Sequence, residues 1–227
     1  MLRTITDNLW VIDHPFKMMG IALGTRTTLI RLADGGLFMH SPGPMDAELI
    51  ESVDEIGPVH AIVAPNDFHH LYIEENANAW PDAAVFIAPG LRDKRPDLAD
   101  AEVLDETAPE LWRNEIDQVW MRGAPKVNEI AFFHKSSRTL ILADLAFNLI
   151  EPGPFLLRLF ARINGASGRL ASSRLMKMMY RDRQAARAGV EKILAWDFDR
   201  LTLCHGEIVE SGAKASLAPT FDWLREI

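Results

Sequence analysis

Apolar and polar residues alternate along several short segments in the first half of the chain. Residues 27–32 alternate in this way, a turn-forming ADGG follows at 33–36, and a second short apolar segment occupies 37–40. This pattern is typical of a β-hairpin. From 45 to 57 the apolar residues recur at intervals of three and four, which predicts a helix that ends at the Gly-Pro pair 57–58.

Two continuous apolar runs, 59–65 and 83–89, flank a predicted helix at 71–80. Short apolar runs are typical of strands that are covered on both faces. The order strand, helix, strand predicts a right-handed crossover and therefore a partly parallel sheet. Residues 90–109 are rich in proline and charge, and we expect this segment to be irregular.

The second half of the chain begins with strand patterns and continues with helical ones. Strands are predicted within 115–123, 129–134 and 139–145, then helices at 155–163 and 174–196, a last strand at 200–206 and a C-terminal helix at 216–227. No repeat or linker interrupts the chain. We therefore expect one domain over residues 1–227, with a helical insertion at about 151–196.

The amino-acid composition argues against several classes of protein. Hydrophobic residues make up 48% and charged residues 25% of the chain, and the net charge of −8 argues against nucleic-acid binding. A single cysteine excludes an intrachain disulfide. No apolar run approaches the roughly 18 to 20 residues of a membrane-spanning helix, and the N-terminus lacks a secretory pattern. We expect a cytoplasmic protein with no membrane partner.

The charge is unevenly distributed. Residues 151–190 contain eight Lys and Arg against two Asp and Glu. Two interpretations stay open for this basic stretch. It can form an ordinary solvated helical face, or it can be a lid that attracts an anionic small molecule such as a phosphate or carboxylate.

Side chains that could carry chemistry follow four predicted strands, at PNDFHH (65–70), VNE (127–129), LADL (142–145) and CHG (204–206). Strand ends are where α/β folds place their sites. His69 and His70 come just before a predicted helix, whose positive dipole end disfavours imidazolium. Neutral imidazole is the form that binds a metal ion.

Counting residues across the predicted hairpin 129–145 places Glu129 beside Asp144. If the turn is centred in KSSR (135–138), Asp144 pairs with about residue 129. His134 would then lie at the turn end, about 20 Å away at about 3.3 Å per residue. We therefore exclude His134 from the candidate site.

The order of these elements and motifs resembles the metallo-β-lactamase superfamily. That family has an H-x-H-x-D-H motif after a buried strand, a lone middle histidine, a metal-bridging aspartate at a strand end and a final histidine. If His70 matches the last motif histidine, His69 takes the aspartate position, while Pro65 and Asp67 take the positions of the first two histidines. Asp144 matches the bridging aspartate, and His205 matches the final histidine.

The family's middle histidine has no counterpart, since it would fall within RGAPK (122–126). The chain also resembles a divergent branch of that superfamily, of undefined function, in which P-N-x-x-H-H and E-x-x-F-F-H-x-x-S-x-T-L recur. The resemblance implies a four-layer αββα sandwich in the α/β class, with two mixed sheets face to face.

The resemblance also implies a mononuclear centre for one zinc or other divalent ion, since a two-metal set is incomplete. The expected metal ligands are His70, Asp144 and His205, with His69 at the edge of the cleft. Asp67 or Glu129 would complete the ligand shell or act as the catalytic base. We expect these residues to converge on one cleft that binds a small-molecule substrate.

These residues can also be interpreted as purely structural. Asn66 or Asp67 can simply cap the following helix while His69 packs against the surface. By strand alternation, Cys204 is expected in the core, pointing away from His205. Two functions therefore stay open: a metal-dependent hydrolase, or a non-catalytic binding or scaffold protein that keeps the fold and binds no metal.

Overall fold

The alternating N-terminal segments form a seven-stranded sheet with strand order β1-β2-β5-β6-β7-β8-β9. The computed structural model describes residues 1–150 and 153–224. A separate two-stranded ribbon, β3–β4, lies between β2 and β5 in the chain. The strands of this half are β1 (Leu2–Thr6), β2 (Leu9–His14), β3 (Lys17–Met18), β4 (Ile21–Ala22), β5 (Thr25–Arg31), β6 (Leu37–His40), β7 (Val59–Ala64), β8 (Ala84–Ile87) and β9 (Glu102–Val103).

Strands β1, β2, β5 and β6 pair antiparallel, whereas β6, β7, β8 and β9 pair parallel. The predicted hairpin and the predicted parallel crossover are therefore confirmed. Helix α1 (Ala47–Asp54) connects β6 to β7, and α2 (Ile73–Ala79) connects β7 to β8. The side chain of Asp46 accepts a hydrogen bond from the backbone amide of Leu49 and so caps α1.

The second half forms a four-stranded sheet with strand order β10-β11-β12-β15, in which β12 and β15 are parallel. A two-stranded ribbon, β13–β14, and several helices accompany it. These elements are β10 (Ile116–Trp120), β11 (Ile130–His134), β12 (Thr139–Leu142), β13 (Phe147–Asn148), α4 (Phe155–Ile163), β14 (Leu170–Ala171), α5 (Arg174–Met179), α6 (Arg183–Ala195), β15 (Arg200–Leu203) and α7 (Ala213–Leu217).

The two sheets pack face to face through an apolar layer. Side-chain alternation along β6 shows why: Phe38 faces the second sheet, where it contacts Phe132 edge-on at 5.3 Å, and Met39 faces the outer helices. A third apolar cluster joins the second sheet to α4, α6 and α7. The layers therefore run helix, sheet, sheet, helix, which confirms the predicted αββα sandwich.

Three elements differ from the sequence prediction. Segment 90–109 is not wholly irregular, because it contains α3 (Leu91–Lys94), a 3-10 turn at Pro96–Leu98 and β9. The helix predicted over 174–196 is broken, since the amides of Arg181 and Asp182 both donate to the carbonyl of Gly123 and the Asp182 side chain caps α6. Tertiary contacts thus override the helical pattern.

The C-terminal helix predicted over 216–227 begins earlier, as α7, and continues as a 3-10 helix at Ala218–Leu224. Its last three residues, 225–227, lie outside the described residues, as do 151 and 152 at the start of the predicted insertion. Within the described ranges, no helix is long and apolar enough to cross a membrane.

Candidate functional site

The loop that follows β7 is shaped by the side chain of Asn66. Its Oδ1 accepts hydrogen bonds of 2.9 Å from the backbone amides of Phe68 and His69, which closes a tight turn. Its Nδ2 donates to Oδ2 of Asp144 at 2.7 Å. The buried side chain of Asn66 therefore stabilises the turn and links the loop to the end of β12. This holds His69 next to Asp144.

Asp144 lies just beyond β12, and the hairpin register places it opposite Glu129. Phe132 pairs with Ile141, which extends to the predicted pairing of 129 with 144. The two carboxylate oxygens of Glu129 accept hydrogen bonds of 2.8 and 2.9 Å from the amides of Ala143 and Asp144. The prediction that Glu129 lies beside Asp144 is confirmed.

His205 follows β15 and is held on both sides. Its Nδ1 donates to the carbonyl oxygen of Gly24 at 2.7 Å, because a carbonyl can only accept. The ring also stacks on Phe147 with centroids 5.3 Å apart and an interplanar angle of 7°. Gly206 takes a φ of 93°, and a side chain there would overlap the carbonyl of Asn148.

These three elements bring His69, Asp144 and His205 into one cluster. The Nε2 atom of His69 lies 3.2 Å from Oδ2 of Asp144, and Nε2 of His205 lies 3.4 Å from Oδ1. One ligand atom from each residue can be chosen so that all lie within 4.8 Å of one another. Among the described residues this is the one group of three or more His, Cys, Asp and Glu with that geometry.

The cluster concentrates charge in a buried place. Burial alone would raise the pKa of Asp144, but the charges and hydrogen bonds of His69 and His205 hold it well below its usual range. Burial would lower the pKa of His69, yet the neighbouring Cys204 and Asp144 raise it well above its usual value. Burial and the charge of Asp144 raise the pKa of Glu129 to about 7.

The donor set fits one divalent ion. Because the Nδ1 proton of His205 is used on Gly24, a neutral ring has its Nε2 lone pair directed at the carboxylate of Asp144. In that form both groups are acceptors and a cation between them would bind to both, whereas without an ion a proton on Nε2 of His205 bridges the pair. The 3.2 and 3.4 Å separations run to different oxygens of Asp144, and with one atom taken from each residue the three atoms lie within 4.8 Å of one another. Ligands of a tetrahedral zinc ion at about 2.0–2.2 Å lie roughly 3.3–3.6 Å apart, so the three side chains would move slightly closer together around an ion.

His70 lies outside this cluster. Its Nδ1 is 3.0 Å from a guanidinium nitrogen of Arg95, which donates to it. Burial, together with the charges of Lys94 and Arg95, lowers the pKa of His70 to about 4. His69 therefore takes the central place that was expected for His70, while His70 lines the same cavity as the cluster.

Asp67 and Glu129 are also outside the cluster. The Oδ2 atom of Asp67 accepts from the Asn128 side chain at 2.8 Å, and Gly90 packs so closely against both that a side chain there would overlap them. Glu129 is fully buried and contacts the backbone behind Asp144. The expected convergence of both carboxylates on the cluster is wrong, and a catalytic role for either stays a prediction.

Three partners of the cluster were not selected from the sequence: Asn66, Ser41 and Gly24. The Oγ atom of Ser41 lies 2.8 Å from Nδ1 of His69, and the carbonyl oxygen of Gly24 lies 2.7 Å from Nδ1 of His205. Asn66 was considered only as a helix cap. The signal that could have identified it is its place directly after a buried strand, next to two histidines.

Cys204, His14 and His134 interact with side chains near them. Cys204 is buried as expected, and it contributes to the raised pKa of His69. His14 contacts the Thr27 hydroxyl at 2.9 Å. His134 contacts Ser137 in the turn, far along the hairpin from Asp144 as predicted.

A cavity of about 410 Å³ opens over the cluster. Helices α4 and α5 form one wall through apolar residues such as Phe160, Met176 and Met179. These two helices therefore line one side of the cleft, but no arginine of the basic stretch is among the lining residues. Arg169 and Arg174 instead donate to carbonyl oxygens of the loop and helix beside them.

The fold is that of metallo-β-lactamases. The chain is similar over its whole length to a metallo-β-lactamase from Pontibacter korlensis, with 11% identity, 99% of that chain covered and a TM-score of 0.65. It is similar to a metallo-β-lactamase from Erythrobacter litoralis, with 14% identity, 92% coverage and a TM-score of 0.61. The Flv1 flavodiiron core from Synechocystis is also similar, with 11% identity, 61% coverage and a TM-score of 0.66.

No curated protein matches the sequence. A family model described as a domain of unknown function, DUF4336, matches residues 6–167. That match includes the Asn66 turn, Glu129 and Asp144, and ends before His205. The chain therefore belongs to the DUF4336 family, and its structure has the metallo-β-lactamase fold.

Proposed function

We propose that this protein is a metal-dependent hydrolase with a mononuclear centre, whose ligands are His69, Asp144 and His205. The observation that carries this proposal is the pair of hydrogen bonds on the far sides of the imidazole rings. Gly24 fixes the tautomer of His205, and Ser41 contacts Nδ1 of His69. Second-shell contacts of this kind orient histidine ligands and leave Nε2 free for a metal ion.

A divalent ion held there would supply Lewis acidity, polarising a carbonyl or phosphoryl oxygen and lowering the pKa of water. The residues of the chain orient and shield the reacting groups. His70 accepts from Arg95 through Nδ1, so its neutral ring carries a proton on Nε2 and can donate to a substrate oxygen. The apolar cavity walls exclude bulk water, which strengthens each polar interaction inside.

Glu129 has a positioning role in this proposal. It shapes the turn that carries Asp144 by accepting the amides of Ala143 and Asp144. Asp67 has a comparable role on the other loop, since Asn128 holds its carboxylate and Lys94 donates to its carbonyl oxygen at 2.6 Å. Neither carboxylate lines the cavity.

One observation favours the alternative, a binding protein without a metal. A protonated His69 balances the negative charge of Asp144, since Asp144 and Cys204 raise its pKa. Such a charge-balanced cluster persists without an ion. The two functions differ in one measurable quantity, the number of tightly bound divalent ions.

The test is elemental analysis of protein purified without added metal, followed by zinc titration of the chelator-treated protein. We expect one ion per chain, and none in His69→Ala or His205→Ala. His70→Ala is the matched control, because His70 is adjacent in sequence but outside the cluster, and it should keep the ion. Hydrolysis of p-nitrophenyl octanoate should then depend on the bound ion. Wild-type protein that binds no zinc would favour the binding-protein alternative.

A further inference from the structure

The cavity over the cluster combines a polar floor with apolar walls. His69, Asp144 and His205 form the floor. Phe147, Phe160 and Met176 are among the apolar wall residues. Its volume of about 410 Å³ falls within the range of small-molecule sites, roughly 300–1,000 Å³. A ligand that fills it must therefore place an apolar moiety against the walls and a polar group at the floor.

The apolar surface continues outward to the mouth of the cavity. Phe68, Leu71 and Leu175 line the cavity and are also 40%, 58% and 47% exposed. Contiguous exposed apolar residues are uncommon on soluble proteins and mark surfaces that a ligand covers. Met18, Met176 and Met179 also line the cavity. Unbranched methionine side chains adapt to a flexible chain more readily than to one rigid shape.

Lys94 is the one Lys or Arg among the lining residues. Its ammonium donates to the carbonyl oxygen of Asp67 at 2.6 Å, which leaves two N–H donors. No carboxylate in the part of the chain that the structure describes forms an ion pair with it. An anionic group of the ligand can therefore pair with Lys94 at the rim.

We propose that this cavity binds an amphiphilic acyl compound, a flexible aliphatic chain with a carboxylate or carboxyl-derived head. The chain lies along the apolar walls between α5 and the 68–71 loop. The head lies between Lys94 and the His69–Asp144–His205 cluster. The placement of the head rests on the proposed function, whereas the chain-binding walls do not depend on a metal ion.

The first test measures binding of a series of carboxylates from butanoate to dodecanoate to chelator-treated protein by isothermal titration calorimetry, below micelle concentrations. Burying one methylene should tighten binding about fourfold. We expect affinity to rise along the series until the cavity is full. Affinity that does not change with chain length would overturn the proposal.

Two substitutions on α5 locate the binding. Leu175→Glu places a charge on the cavity wall, and because Leu175 is 47% exposed the protein should still fold. It should weaken decanoate binding at least about tenfold. Met178→Glu is the matched control, since Met178 is 80% exposed and does not line the cavity. Wild-type affinity in the first variant, or equal loss in both, would contradict the proposed position.

Lys94 is tested by comparing decanoate with nonyltrimethylammonium, which has the same nine-carbon alkyl chain and the opposite charge. Wild-type protein should bind decanoate at least about tenfold tighter, and Lys94→Gln should abolish that preference. If the preference persists, Lys94 does not bind the head. Because the carboxylate series is measured on chelator-treated protein and zinc titration of wild-type protein reports on the metal centre separately, failure of chain binding is distinguishable from failure of the metal centre.

Discussion

The carboxylate of Glu129 accepts a hydrogen bond of 2.9 Å from the backbone amide of Asp144, directly across the β11–β12 hairpin. The second oxygen accepts from Ala143 at 2.8 Å. Both oxygens are therefore used to hold the turn from which the Asp144 side chain extends. A buried carboxylate in this place determines the orientation of another carboxylate.

Replacement of Glu129 by Gln should therefore disturb the Asp144 turn. Glutamine has one acceptor oxygen, so one of the two backbone amides loses its partner inside the protein. We expect the free energy of unfolding to fall by about 1–3 kcal/mol and zinc affinity to fall about 10–100-fold. Urea unfolding and calorimetric zinc titration measure these two effects.

Glu115→Gln is the control for this substitution. Glu115 also accepts a backbone amide, that of Ala33, through both oxygens, but at an exposed place. We expect its stability to change by no more than about 0.5 kcal/mol. Equal losses in the two variants would show that Glu129 has no special relation to Asp144.

The hydroxyl of Ser41 should strengthen the binding of zinc by His69. Ser41→Ala removes the partner of Nδ1, and we expect zinc affinity to fall about tenfold. Ser172→Ala is matched in chemistry, since the Ser172 hydroxyl is buried without a hydrogen-bond partner among the described residues. That control should keep wild-type zinc affinity. Unchanged zinc affinity in Ser41→Ala would show that Ser41 does not contribute to the metal centre.

The sequence predicted the part of the site that depends on strand register. Strand alternation and the KSSR turn were sufficient to place Glu129 opposite Asp144, because the side-chain period of two and the turn leave one consistent pairing. The αββα layers were predicted from the order of the strand and helix patterns together with the resemblance to the metallo-β-lactamase superfamily. Apolar runs of strand length and amphipathic helices have few ways to cover one another.

The choice between His69 and His70 could not be made from the sequence. Adjacent residues in a loop point in different directions, and here the Asn66 turn and the Arg95 contact decide which imidazole faces Asp144. Gly24 precedes β5 and Ser41 follows β6, and they lie 181 and 28 residues along the chain from His205 and His69. A backbone carbonyl and a hydroxyl leave no pattern that identifies them as partners.

The conformation of Gly206 should be necessary for placing His205. Gly206 has a φ of 93°, and the methyl group of Gly206→Ala would overlap the carbonyl of Asn148. We expect the free energy of unfolding to fall by about 3 kcal/mol or more. Gly212→Ala also has a positive φ, 65°, but nothing lies within 4 Å, so it should cost only about 1 kcal/mol. Thermal unfolding of the two variants tests this difference, and similar losses would contradict it.

Buried histidines should make the fold sensitive to acid. Burial lowers the pKa of His134 to about 4, from 6.5 in an unfolded chain. Between pH 6.5 and about 4 the unfolded chain binds a proton that folded His134 does not, so the free energy of unfolding falls as the pH falls. This contribution is on the order of 2–3 kcal/mol and stops below the folded pKa.

His134→Gln should remove that component of the pH dependence. His14, His40 and His70 also have lowered pKa values, so the wild-type slope has several sources, and the difference between the two proteins isolates His134. Urea unfolding at pH 7.0, 5.5 and 4.5 measures it. Parallel stability curves for wild type and variant would contradict the prediction.

The basic stretch is tested through Arg158 and Arg162 of α4. The sequence allowed a lid in which these arginines face the cleft, whereas the structure places both on the exposed side of the helix and outside the cavity lining. Exposed charges outside the cavity are screened by salt and contribute little to the binding of a single anion. The double substitution of both arginines by Ala should therefore bind decanoate within about twofold of wild type at 0.15 M salt. A loss of tenfold or more would show that the basic stretch acts on the ligand, and α4 would then be a charged lid and not an ordinary solvated face.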